Sequence, residues 1–189
     1  MRAPLGVQVT DWRLRQWIAR TDGAAVVEFA LLLPMLIILF VGGLAASQAI
    51  TAYRKVVDTT VQLANVSTQY TAMTPADTSS IMAATSQIMV PYSTLTLTIK
   101  LTEITTDING VGLVVWCQAW PTGGPCNTPG QTWPLPSGLA TPSTSYMLVQ
   151  SSYTYDLGLG SSYFARSIPM SYQIYMAPRQ SAAIPCPSC

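Results

Sequence analysis

Residues 24–46 form a run of 23 residues with a single charge, Glu28, and this run limits what the chain can fold into more than any other feature. At 1.5 Å per residue a helix of that length spans the roughly 30 Å hydrocarbon core of a bilayer, so it is expected to be a transmembrane helix. A carboxylate inside such a run is costly, by insertion measures about 2.5 to 3.5 kcal/mol at mid-bilayer and less toward the interface. Something must compensate Glu28. Helix dipole and headgroup water are one source, since negative charge is favoured near a helix N-terminus.

The sequence on either side continues the argument. Residues 1–23 carry Arg2, Arg13, Arg15 and Arg20 against Asp11 and Asp22, and Arg54 and Lys55 follow the run. Three flanking positive charges to two give only a slight positive-inside bias. At 100° per residue, Ile50, Tyr53, Val56, Val57, Val61, Leu63 and Ala64 share one arc, opposite Arg54, Lys55, Asp58, Gln62, Asn65 and Gln69. The pattern predicts one helix over residues 24–70, about 70 Å long, apolar all round at first and amphipathic later. Pro34 is a candidate kink, and Gly42 with Gly43 is read as small-residue packing between membrane helices.

Beyond this helix the period changes. Pro75 and Asp77 in TAMTPADTSS suit the start of a short helix reaching about residue 89. In STLTLTIKLT, Leu95, Leu97, Ile99 and Leu101 alternate with polar residues, which predicts a strand with one buried face. Asn109-Gly110 marks a hairpin turn, residues 111–120 the return strand, and residues 146–155 and 168–176 two more strands. A Pro/Gly-rich loop, PTGGPCNTPGQTWPLPSG, lies between the hairpin and the third strand. The expected architecture is therefore α+β: a long helix, then an antiparallel sheet of about four strands. Its segments are a leader (1–23), a transmembrane helix (24–47), an amphipathic extension (48–72) and an extracytoplasmic α+β domain (73–189).

Composition excludes several functions. Charged residues are 9% of the chain and the net charge is +1, so no electrostatic footprint for nucleic acid is expected. The chain contains no histidine, which removes the commonest general base and metal ligand and with them any Ser-His-Asp or Cys-His centre. Asp58, Asp77, Glu103, Asp107 and Asp156 are the only carboxylates beyond the apolar run, and their spacing does not favour a two-carboxylate site. No enzymatic activity, cofactor or metal is expected. The four cysteines, Cys117, Cys126, Cys186 and Cys189, are even in number and confined to the C-terminal half, as suits disulfides in an oxidising compartment. That places the C-terminal part outside the cytoplasm. Cys117 with Cys126 is the first pairing expected, and one of these two tying down the tail is the rival. CPSC at residues 186–189 has the spacing of a dithiol redox centre but no helix after it, and is read as structural. Trp116, Trp120 and Trp133 are assigned to the core and sheet surface rather than to a carbohydrate platform.

In GAAVVEFALLLP, at residues 23–34, a basic leader and a Gly are followed by four small or apolar residues, Glu, an aromatic and an apolar run. This resembles the N-terminal pattern of type IV pilin-like proteins, and in detail the TadE-like pilus assembly family of the tight-adherence (Flp pilus) system. The resemblance implies cleavage between Gly23 and Ala24 by a prepilin peptidase. Glu28 then becomes the fifth residue of the mature chain, followed by Phe29, and the new ammonium at Ala24 is the nearest cation that can compensate it, within one chain or between neighbours. It further implies a single-pass protein of the inner membrane with its N-terminus cytoplasmic and its domain periplasmic. The implied role is that of a non-catalytic pseudopilin or minor pilin. Its partners would be membrane lipid, the peptidase, other pilins and the pilus secretion platform. The alternative is a secreted or membrane-stalked domain unrelated to pili, with GLAASQA offering an ordinary signal-peptidase site.

Overall fold

The computed structural model describes residues 22–157 and 167–189. The leader expected at residues 1–23 therefore lies outside the described residues, apart from its last two. The chain divides into two compact units, Met1–Ala46 and Ser47–Cys189.

Helix α1, Asp22–Ser67, is continuous over 46 residues and passes through Pro34. Within the first unit its large apolar side chains, Phe29, Ile38 and Phe40 among them, are exposed, and one helix long and apolar enough to cross a membrane is present among the described residues. In the second unit the helix has a buried face. Ala52, Val56, Leu63 and Ala64 lie in the core together with Thr59, Thr60, Ser67 and Thr68. The expected arc was only partly right: Val57 and Val61 are half-buried, and Ile50 and Tyr53 are exposed. The threonines take their place because each hydroxyl is satisfied on its own helix. Thr59 Oγ1 donates to the Lys55 carbonyl at 2.8 Å and Thr60 Oγ1 to that of Val56 at 2.7 Å, which leaves the methyl groups to pack.

Helix α2, Pro75–Ser86, continues into a 3-10 turn, Gln87–Met89. Its start is fixed by a capping box: the Asp77 N–H donates to Thr74 Oγ1 at 3.2 Å, and the Thr74 N–H donates to the Asp77 carboxylate at 3.0 Å.

The strands are β1 (Thr98–Thr106), β2 (Gly112–Trp120), β3 (Thr132–Trp133), β4 (Ser145–Asp156) and β5 (Ser167–Met176). All pair antiparallel, in the spatial order β3-β2-β1-β4-β5, as a half-barrel sheet. The sheet has five strands where about four were expected. The extra one, β3, has two residues inside the Pro/Gly-rich loop and pairs with the start of β2, too short to leave a periodic signal. The Asn109-Gly110 turn is present: Gly110 has φ of 78°, and Asp107 Oδ1 accepts from the N–H groups of Asn109 and Val111, each at 2.8 Å.

β1 departs from its expected pattern at both ends. It begins at Thr98, so Leu95 precedes it and is 93% exposed. Farther on, both faces are covered. Ile99, Leu101 and Glu103 face the main core with α1, Trp116, Met147 and Val149. Thr102 and Ile104 face the other side, where Val114, Tyr146 and Leu148 are also buried. The 121–144 segment covers this second face. Its Asn127 side chain donates to Thr102 Oγ1 at 3.0 Å, Thr141 Oγ1 pairs with the Tyr146 hydroxyl at 2.6 Å, and Thr106 Oγ1 donates to the Thr141 carbonyl.

Candidate functional site

Gly23 and Ala24 occupy the first turn of α1, and Glu28 and Phe29 lie one turn farther on. All four are exposed. Ala24 and Glu28 are i and i+4 on the helix, hence on the same face. Among the described residues Glu28 has neither a hydrogen-bond partner nor an ion-pair partner. A Cβ built on Gly23 meets nothing within 4 Å, so the neighbouring structure does not dictate glycine there. The site is an unpartnered carboxylate in an exposed apolar helix. Chemically it can accept an ion pair or a charge-assisted hydrogen bond.

The cysteines form two bridges, Cys117–Cys126 with Cα atoms 5.9 Å apart and Cys186–Cys189 with Cα atoms 5.3 Å apart. The first pairing expected is the one found, and the rival is not, because Cys186 and Cys189 are bonded to each other. Cys117 lies on β2, and its bridge pins the start of the 121–144 segment to the sheet, where the Asn127 N–H donates to Cys117 Sγ at 3.1 Å.

The tail is held by Glu103, a carboxylate on β1. Glu103 is 1% exposed, and its Oε1 accepts from the Ile184 N–H at 2.7 Å. Trp116, paired with Glu103 across β1 and β2, donates its indole N–H to the Ile184 carbonyl at 2.9 Å. Ile184 is itself fully buried. Burial pushes the Glu103 carboxyl above the usual carboxylate range, against the hydrogen bond from the Ile184 N–H. A signal for this clasp was available: Glu103 continues the alternation of Leu97, Ile99 and Leu101, and the alternation alone puts it on the buried face. Farther along the tail, the Arg179 guanidinium donates to Asn65 Oδ1 at 2.9 Å, and the Met73 N–H to the Pro185 carbonyl at 3.0 Å.

Two other carboxylates also have structural duties. The Thr74 hydroxyl and N–H hold Asp77 below its ordinary range, and the Val111 N–H foremost does so for Asp107 in the hairpin turn. Among the described residues no group of three or more His, Cys, Asp or Glu side chains is placed to hold a metal ion.

Residues 23–66 match the model of the TadE-like protein family. In that segment, less than a quarter of the chain, the protein is similar to TadE-like proteins. The match begins at Gly23 and ends one residue before α1 does, so it covers the helix and leaves the sheet outside it. No curated protein and no solved structure matches the chain.

Proposed function

We propose that this protein is a pseudopilin or minor pilin of a Tad/Flp-type pilus. A prepilin peptidase cuts it between Gly23 and Ala24, α1 anchors it in the inner membrane, and it displays its α+β unit in the periplasm. Its work is assembly rather than chemistry. The apolar half of α1 moves from lipid into the helix bundle of a filament or initiation complex, and Glu28 pairs with the ammonium of an Ala24 in its own chain or a neighbour's. The observation that carries this reading is the coincidence of the TadE-like match with α1 alone. That helix has an exposed apolar first part bearing one unpartnered carboxylate and a second part built into the core of a folded unit.

N-terminal sequencing of the membrane-bound protein tests it together with crosslinking in cells. The reading expects Ala24 as the first residue and crosslinks to pilins or secretion-platform proteins. A mature chain starting near Ser47 or Gln48 would instead mark an ordinary secreted domain.

A further inference from the structure

β5 is an outermost strand of the sheet, and hydrogen bonds on its neighbour show which of its groups face outward. The Thr154 N–H donates to Thr96 Oγ1 at 3.3 Å, and Thr96 Oγ1 donates to the Thr154 carbonyl at 2.8 Å. Thr96 continues the register that pairs Thr98 of β1 with Ser152, so Thr154 turns its backbone toward β1 and away from its β5 partner, Pro169. Pro169 therefore turns its own backbone outward, and by alternation Ser171, Gln173 and Tyr175 do the same. Among the described residues no backbone group of β5 is bonded beyond its ladder with β4.

The opposite edge is closed. There the Val114 N–H donates to the Gln131 carbonyl at 3.0 Å and the Val114 carbonyl accepts from the Gly130 N–H at 2.8 Å, beside the two pairs that β3 makes with Gly112 and Leu113. Folded proteins ordinarily close an edge to pairing with charge, proline or a bulge. β5 contains no Asp, Glu, Lys or Arg, pairs with β4 from Ser167 to Met176 without a register shift, and has only Pro169, near one end. Pro169 removes one outward N–H and leaves those of Ser171, Gln173 and Tyr175. Along the core side of this edge, Ile50, Tyr53, Ile168 and Met170 line an open groove of about 490 Å³.

We infer that β5 pairs with β5 of a second copy of this chain, the two strands antiparallel about a twofold axis near Tyr172. An open edge takes another strand with free N–H and C=O groups, and among the described residues the long strand that offers them is β5 itself. The axis stands perpendicular to the sheet, so each face meets its own kind. On the core face Met170, Tyr172 and Ile174 oppose Ile174, Tyr172 and Met170 of the second copy, whose apolar side chains come to the groove beside Ile50 and Tyr53. On the other face Ser171 opposes Gln173, and no charge meets a like charge. Isologous pairing uses up the open edge of both chains, so the assembly closes at two. The inference concerns the unit Ser47–Cys189 alone, and it stands or falls independently of the pilin reading.

The test uses the full chain in detergent micelles. All four native cysteines are bridged, so Ser171→Cys, Gln173→Cys or Ile108→Cys, each at an exposed position, supplies a single thiol. The expected result is a dimer by sedimentation, with a short bis-maleimide joining two chains through 171 or 173 several-fold more than through 108, at the tip of the β1–β2 hairpin. Ser171→Lys together with Gln173→Lys sets like charges opposite each other only when the strands pair, and should weaken the dimer about ten-fold while the near-ultraviolet circular dichroism of the folded unit is unchanged. A wild-type monomer, or equal linking at all three positions, would overturn the pairing. A dimer that survives both lysines is held elsewhere, through the apolar part of α1 for instance, and would overturn it as well. Mass spectrometry of the product linked at 171 in cell membranes should find two copies of this chain; a different protein there would make the edge a site for another strand and overturn the self-pairing.

Discussion

Glu28 and Glu103 are both carboxylates away from bulk charge, and their surroundings set opposite expectations for them. Glu28 stands in an apolar helix with no partner among the described residues, and the proposed function gives it one in an N-terminal amine. Glu28→Ala should still insert into the membrane, since removing the charge lowers the insertion cost, yet fail to support pili, and Glu28→Gln should fail in the same way because an amide keeps the shape without the charge. Counting pili on cells carrying each variant, with cleavage after Gly23 checked by mass spectrometry, decides between pairing and a dipole-only role. The dipole-only role predicts a loss of only about 0.3 to 1 kcal/mol of helix stability and normal pili. Glu103 already has its partners. Glu103→Ala strips the acceptor from a buried N–H at Ile184 and should cost about 1 to 3 kcal/mol in chemical denaturation. Because burial raises its folded-state pKa, the folded protein holds this proton more tightly than the unfolded chain does. Its contribution is therefore fully present at pH below the ordinary carboxylate range and is lost as pH rises through the raised value. Asp77 and Asp107, held low, act in the other direction and lose their contribution as pH falls. Glu103→Gln keeps an oxygen acceptor and removes one proton site, so the difference between wild-type and variant stability should shift with pH above the ordinary carboxylate range and be flat below it. A difference that does not change with pH would mean that Glu103 titrates as it does in the unfolded chain.

At the scale of elements, α1 and the sheet show where sequence periodicity is informative and where it fails. The apolar run was legible because bilayer length and an unbroken composition allow few alternatives, and the hairpin because Asn109-Gly110 meets a specific backbone demand. The buried face of α1 was half legible. Thr59 and Thr60 read as polar on a hydropathy projection, but each spends its hydroxyl on a carbonyl one turn back and presents a methyl group to the core. Leu63→Ala should accordingly cost about 2 to 5 kcal/mol. Thr60→Val should cost much less, since the Val56 carbonyl remains within the backbone ladder of the helix. Parallel denaturation curves of the two variants check the contrast. The second buried face of β1 was not legible, because it is created by a 121–144 segment whose Pro, Gly and Thr content carries no period. That segment is fastened by Cys117–Cys126 across a separation of nine residues, against three for Cys186–Cys189. In the chain-entropy account the longer loop contributes more, about 3 kcal/mol against about 2. Replacing Cys117 and Cys126 together by Ala should then lower stability more than replacing Cys186 and Cys189, while thiol titration of the untreated protein finds no free cysteine. At the candidate site, residues 23–29 carry a pattern that the sequence displays, whereas the pairing proposed for Glu28 involves an amine that the sequence alone does not expose.

For the molecule as a whole, the decisive question is which side of the membrane holds the unit Ser47–Cys189, because every partner in the proposed function depends on it. The flanking charges say little, at three against two. The cysteines say more: two bridges, one of them fixing a covering segment over half of the sheet, belong to an oxidising compartment, since cytosolic thiols are kept reduced. The proposed function takes that topology, with the N-terminus in the cytoplasm, one crossing by residues 24–46 and the rest outside. Protease added to intact spheroplasts should then digest the folded unit, slowly while the bridges are intact and faster after a reductant that does not lyse the cells. A fragment containing the apolar run should survive in the membrane. The same protease on inverted vesicles should leave the unit untouched. The opposite pattern, with the unit protected in spheroplasts and digested in inverted vesicles, would place it in the cytoplasm. It would remove the compartment in which the bridges form and the one in which Tad pilus subunits would meet this unit, and would leave the TadE-like match as a likeness of helices alone.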